Sequence, residues 1–181
     1  MRVLLIGGND VAGPFGATLA QLFTAAGASV DVVANVGART ADYLPDGRFA
    51  SQVPSRVNTP LGFDMAVLAL GSIDTDPPAI VADRLRAIAT SLPTSVVWCV
   101  GSPTSTALYN ESHKRFGARF IDSRAGAQSP AAWASLVFDR IKRVMAVSEQ
   151  LREAADKNPL KPWMIVAGVA LVWWAFGGKR K

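Results

Sequence analysis

Asp10, Asp74 and Asp76 each follow closely on a short apolar run, at residues 3–6 or 65–70. Three carboxylates brought to one place would suit Mg²⁺ or Ca²⁺, which take hard oxygen ligands. Carboxylates without a phosphate partner hold Mg²⁺ weakly, and aspartates at loop ends commonly cap the following helix, so no metal or other cofactor is assigned. Ser72 shares a loop with Asp74, but the sequence names no base beside it. His113 is the single histidine and Cys99 the single cysteine, which excludes a histidine metal cluster, an intramolecular disulfide and a Cys-based zinc site. His113 lies in a helical stretch away from the aspartate loops and reads as a partly exposed helical residue. Cys99 sits inside an apolar run and reads as a buried thiol rather than a nucleophile. Asp122 and Arg124 read as a local ion pair.

The elements that must position these residues alternate regularly. Residues 3–6, 30–34, 65–70, 96–100 and 119–121 are short runs rich in Val, Ile or Leu, bounded by Gly, Asp, Pro or Ser. Such runs suit strands buried on both faces of a parallel sheet. Residues 15–26, 78–91 and 105–116 have helix composition, with Pro78 placed for a first turn and Gly27 and Gly117 for C-terminal caps. The alternation predicts a three-layer α/β/α sandwich with a five-stranded parallel sheet in flavodoxin-like order 2-1-3-4-5. Residues 40–62 fit no regular pattern and predict an irregular excursion with one short helix.

From Pro130 to Lys157 the spacing of Trp133, Leu136, Val137, Ile141, Val144, Met145, Ser148, Leu151 and Ala155 predicts one long helix, started by Ser129-Pro130. Residues 1–143 form an α/β head, and 144–158 continue its last helix as a spacer. The stripe Val144, Ser148, Leu151 and Ala155 is an expected contact with a neighbouring protein chain. Residues 159–181 read as a membrane anchor. Positions 163–178, WMIVAGVALVWWAFGG, carry no charge, with Trp163 at one end, Trp173 and Trp174 near the other, and Lys179, Arg180 and Lys181 behind. That is short for a span of roughly 17–25 residues, but the tryptophans match interfacial belts.

The chain has 181 residues, 50% hydrophobic and 18% charged, which excludes a disordered charged tail protein. Its net charge of +5 divides into +2 over residues 1–143 and +3 over 144–181. Basic residues beside the most apolar segment point to lipid headgroups. No basic stripe with interleaved aromatics marks a nucleic-acid interface. The first apolar run stops at Gly7, short of the roughly 7–15 residues of a secretory leader core, and reads as a strand.

Four stretches carry a resemblance: LLIGGNDVAGPFGATLAQLF, VDVVANVGART, VLALGSIDTDP and RFIDSR followed by a Ser-Pro helix start. Over roughly residues 2–143 the chain resembles the SGNH (GDSL-type) hydrolases, which are esterases, lipases and carbohydrate deacetylases on a flavodoxin-like fold. The resemblance implies a serine nucleophile in a Gly-Asp-Ser motif after strand one. It further implies a glycine after strand two and an asparagine after strand three as oxyanion donors, and Asp-x-x-His before the last helix. Here Gly7-Gly8-Asn9 stands at the first motif, followed by Asp10, so that Asn9 holds the nucleophile position. Gly37 matches the second. Gly71-Ser72-Ile73-Asp74 puts Ile73 in place of the amide donor, and Ala125-Gly126-Ala127-Gln128 leaves Gln128 where the histidine belongs.

A carboxamide forms no acyl-enzyme, an alkyl group stabilises no oxyanion, and a glutamine is no general base near neutral pH. The expectation is therefore a catalytically inactive, membrane-anchored module, structural or ligand-binding. It would work in a bacterial envelope complex or in the virion membrane of a membrane-containing bacteriophage. The alternative is an active esterase or deacetylase with a rewired or metal-assisted site.

Overall fold

The structure is a computed structural model that describes residues 1–55, 62–102, 108–124 and 129–157, with the side chains of 148 and 150–157 outside the described set. The chain divides into two compact units, Met1–Phe138 and Asp139–Lys181. In the first unit, β1 (Arg2–Gly7), β2 (Ser29–Ala34), β3 (Met65–Ala69), β4 (Val97–Val100) and β5 (Phe120–Ile121) form one sheet, ordered β2-β1-β3-β4-β5 with every pairing parallel. This is the expected order. It sets β1 between β2 and β3, with Gly7 opposite both Ala34 and Ala69.

Alternating side chains on a strand face opposite sides of the sheet. Leu4, Ile6, Ala66, Leu68, Val97 and Cys99 join a core with Val81, Ala82, Leu85 and Ile88 of α3 (Pro78–Ser91) and Tyr109 of α4 (Tyr109–Phe116). The opposite set, including Val3, Leu5, Val67 and Trp98, is also buried. Phe15 and Phe23 of α2 (Pro14–Ala25) stack on Trp133 and meet Phe138 edge-on, both from α5 (Pro130–Lys157). Helix α5 starts as expected: Ser129 Oγ accepts from Ala132 N at 3.2 Å, and Ser129 O accepts from Trp133 N at 2.9 Å.

Three expectations are corrected. Strand β2 is not buried on both faces, since Val32 is 49% exposed; it lies at the sheet's edge with a neighbour on one side only. A short helix α1 (Asn9–Ala12) that the sequence reading lacked precedes α2. The two lie so close that a Cβ on Gly16 would stand 1.9 Å from the Val11 carbonyl oxygen, which accounts for the small residue there. Residues 40–55 hold two 3₁₀ turns, Thr40–Tyr43 and Ala50–Gln52, rather than one short helix. Buried Tyr43 donates its hydroxyl hydrogen to Gly7 O at 2.6 Å, fixing this excursion to the end of β1.

Helix α5 runs the expected 28 residues, with its later part in the second unit. Val147 is 37% exposed there. Among the described residues no helix is long and apolar enough to cross a membrane. The expected anchor, including Trp163, Trp173, Trp174, Lys179, Arg180 and Lys181, lies outside the described residues, as does Gln128.

Candidate functional site

A parallel sheet places the C-terminal ends of its strands along one edge, where ligands of open α/β folds bind. Here that edge carries the loops after Gly7, Ala34, Ala69 and Val100. Asn9 and Asp10 follow β1, the central strand, and serve opposite sides of it. The exposed Asn9 reaches the β2 side, where its Oδ1 accepts a hydrogen bond from Gly37 N at 2.7 Å. Gly37 sits at φ +75°, a conformation natural to glycine, which turns its N–H towards Asn9.

Half-buried Asp10 lies towards β3 and β4, where the hydroxyls of Ser72 and Ser102 favour the charged form of its carboxylate. Burial pushes the Asp10 carboxyl above its ordinary value of 3.8, and the two serines pull it back in part. Ion pairs with arginine or lysine have the opposite effect on Asp42, Asp83, Glu111 and Asp122, whose carboxyls are held below the usual range. Among the described residues no lysine or arginine pairs with Asp10. Tyr109 steadies the Ser102 loop by donating its hydroxyl hydrogen to the carbonyl oxygens of Gly101, at 3.1 Å, and Ser102, at 3.2 Å.

The three aspartates singled out as a possible cation site do not come together. The Asp74 side chain is buried, accepting from Thr40 Oγ1 at 2.6 Å and Thr40 N at 3.1 Å, with the Arg84 guanidinium 3.8 Å away. Asp76 pairs with the same Arg84. Asp74 and Asp76 share the Arg84 guanidinium, and among the described residues no three His, Cys, Asp or Glu side chains gather where they could hold a metal. Asp74 instead clamps the β3 loop to the excursion after β2. Ile73 is half-buried beside it.

His113 is exposed on α4, and Cys99 is buried in β4 with its thiol pushed far up by burial, both as the sequence reading had them. Asp122 and Arg124 form the expected local ion pair. Sequence reasoning missed Thr40, Arg84 and Ser102. For Ser102 a signal was present: β3 and β4 are both followed closely by Gly-Ser, at 71–72 and 101–102.

Asp10 yields a pH-dependent prediction. A carboxyl raised in the folded state binds its proton more tightly there than in the unfolded chain. Stability therefore falls as pH rises from 3.8 through the folded pKa, and the loss persists above it. Asp10→Asn removes the buried charge and keeps an oxygen for the serines. Its melting midpoint is expected above that of the parent at pH 7, with the gain vanishing below pH 3.8, as thermal scans across pH would record.

No protein-family model matches the chain, and no curated protein matches it. Among solved structures it is similar to a candidate SGNH hydrolase from Slackia heliotrinireducens, with TM-score 0.52, 20% identity, and coverage of 78% of this chain and 98% of that one. The likeness is one of fold. The α/β unit thus has the fold of the SGNH hydrolases, a five-stranded parallel sheet between helices.

Proposed function

We propose that this chain is a catalytically inactive SGNH-fold module, anchored to a membrane and serving there as a structural or binding component. The observation that carries this reading is the hydrogen bond from Gly37 N to Asn9 Oδ1. The residue at the position of the expected nucleophile is a carboxamide, and it occupies the donor that the resemblance assigns to the oxyanion. An oxyanion hole works only where its donors are free to meet developing charge. Ile73 adds no donor, and Gln128 stands in sequence where the base would be.

The anchor rests on the sixteen uncharged residues at 163–178 with their tryptophans and basic end. A bacterial envelope complex or the membrane of a phage particle would use such a module. The helix carrying Val144 and Ala155 would meet a neighbouring protein chain.

One feature favours the alternative, a hydrolase with a rewired site: the Ser72 hydroxyl stands near enough to the Asp10 carboxylate to favour its charged form. A carboxylate, even raised by burial, is a weak base for a serine hydroxyl, and general-base work is best served by a pKa near the operating pH. The full chain in a neutral detergent is expected to hydrolyse p-nitrophenyl acetate no faster than buffer. Turnover abolished by Ser72→Ala or Asp10→Asn would establish the alternative.

A further inference from the structure

Strand β2 ends the sheet, and its outer side carries hydrogen-bonding groups that nothing takes up among the described residues. Along a strand, successive residues point their N–H and C=O groups to opposite edges. Ser29 N donates to Met1 O at 2.8 Å and Asn35 N to Gly7 O at 3.2 Å, so the odd-numbered residues of β2 face β1. Val30, Val32 and Ala34 therefore turn their N–H and C=O groups outward. Edge strands are commonly closed to further pairing by lysine, proline or a bulge. The strand SVDVVA has no lysine or proline, and its register with β1 is unbroken from Ser29 to Ala34. Its one charge, Asp31, is matched within the chain by Arg2 at 2.8 Å. Val32 stands exposed at the middle of this edge. We propose that β2 docks antiparallel on β2 of a second copy of this chain, with Val32 opposite its own counterpart, so that the two sheets become one.

A second copy is the occupant because the strand is complementary to itself. Pairing about a twofold axis is isologous, so the same edge must supply both halves of every contact. In an antiparallel pair the outward groups must also meet outward groups, which sets even-numbered residues opposite even-numbered ones. Two registers then overlap nearly the whole of Ser29–Ala34. The one centred on Asp31 puts the two Asp31 carboxylates directly opposite each other, a repulsive pair. The one centred on Val32 puts Val32 on Val32, Val30 on Ala34 and Asp31 on Val33. It satisfies the outward groups of Val30, Val32 and Ala34, buries the exposed Val32 and brings no like charges face to face. All of these residues belong to Met1–Phe138, whereas the contact assigned above to the stretch from Val144 to Ala155 is made by the later unit.

The test uses the full chain in a neutral detergent, followed by sedimentation over a concentration series and by disulfide cross-linking. The parent is expected to sediment as a dimer, and Val32→Lys, which sets two ammonium groups opposite each other, to weaken the dimer at least about tenfold. Cross-linking fixes the register. The one native thiol, Cys99, is buried, so a cysteine placed on the edge reacts alone. Facing residues in a hydrogen-bonded antiparallel pair have Cα atoms about 5.5 Å apart, within disulfide reach. Val32→Cys is therefore expected to cross-link under mild oxidation at least about tenfold faster than Val36→Cys, whose copies lie on opposite sides of the axis and out of reach. Val36 is the more exposed of the two, so cross-linking by chance collision would favour it instead. A melting scan confirms that each variant is folded, and the two cysteine variants decide the matter even where Val32→Lys does not fold. A monomeric parent, a folded Val32→Lys chain that associates as tightly as the parent, or cysteine variants that cross-link alike would overturn the proposal. Ester turnover and carbonate extraction, which test the inactive site and the anchor, do not depend on this outcome.

Discussion

Asp74→Ala is expected to lower the stability of the α/β unit by about 3 kcal/mol, the cost of leaving buried donors without their charged acceptor. The Asp74 carboxylate takes both the main-chain N–H and the hydroxyl of Thr40, and Thr40 is fully buried, so no water replaces the lost acceptor. Arg84 loses one of its two carboxylate neighbours in the same step. For a unit of this size the loss corresponds to a fall of roughly 10 °C in the melting midpoint, measurable by circular dichroism. Asp74→Asn, which keeps one oxygen for Thr40, is expected to recover more than half of that. If Asp74→Ala melts with the parent, Asp74 is not the clamp between the β3 loop and the excursion after β2.

Ending the chain at Asn158 is expected to change its partitioning completely. The full chain should fractionate with membranes and resist carbonate extraction, whereas the shortened chain should stay in the supernatant. The removed segment holds Trp163, Trp173, Trp174 and the basic Lys179-Arg180-Lys181 end, together with valine, leucine and isoleucine residues contributing about −0.3 to −0.6 kcal/mol each near a bilayer centre. The α/β unit lies wholly before the cut, within Met1–Phe138, so loss of membrane association would not reflect loss of the fold. A full chain recovered in the soluble fraction would remove the anchor from the account.

The sheet was legible because its signal is local and repeated. Each strand is a short apolar run closed by a loop residue, and helices α2, α3 and α5 start at Pro14, Pro78 and Pro130. The edge position of β2 was not legible, because VDVVA reads like an interior strand and exposure depends on which neighbours the topology supplies. Helix α1 escaped notice at four residues, too short to show a helical period. At the site, the positions of Asn9 and Gly37 came from the resemblance, but their mutual hydrogen bond did not, since it joins residues 28 apart in the chain. Asp74 and Asp76 could not be separated from Asp10 by spacing, because their partners Thr40 and Arg84 lie elsewhere in the sequence. Ser102 was missed although its Gly-Ser setting repeats that of Ser72.

The central claim is that this SGNH-fold chain forms no acyl-enzyme. Its most direct test is intact-mass spectrometry of the full chain after exposure to a fluorophosphonate, which phosphonylates activated serine hydroxyls and leaves ordinary ones untouched. Asn9 has no hydroxyl to react, and the single histidine of the chain, His113, lies exposed on α4. The account predicts an unchanged mass at pH 7 and at pH 9. A single adduct mapping to Ser72 or Ser102, and absent in Asp10→Asn, would contradict it and show that the site had been rewired for catalysis.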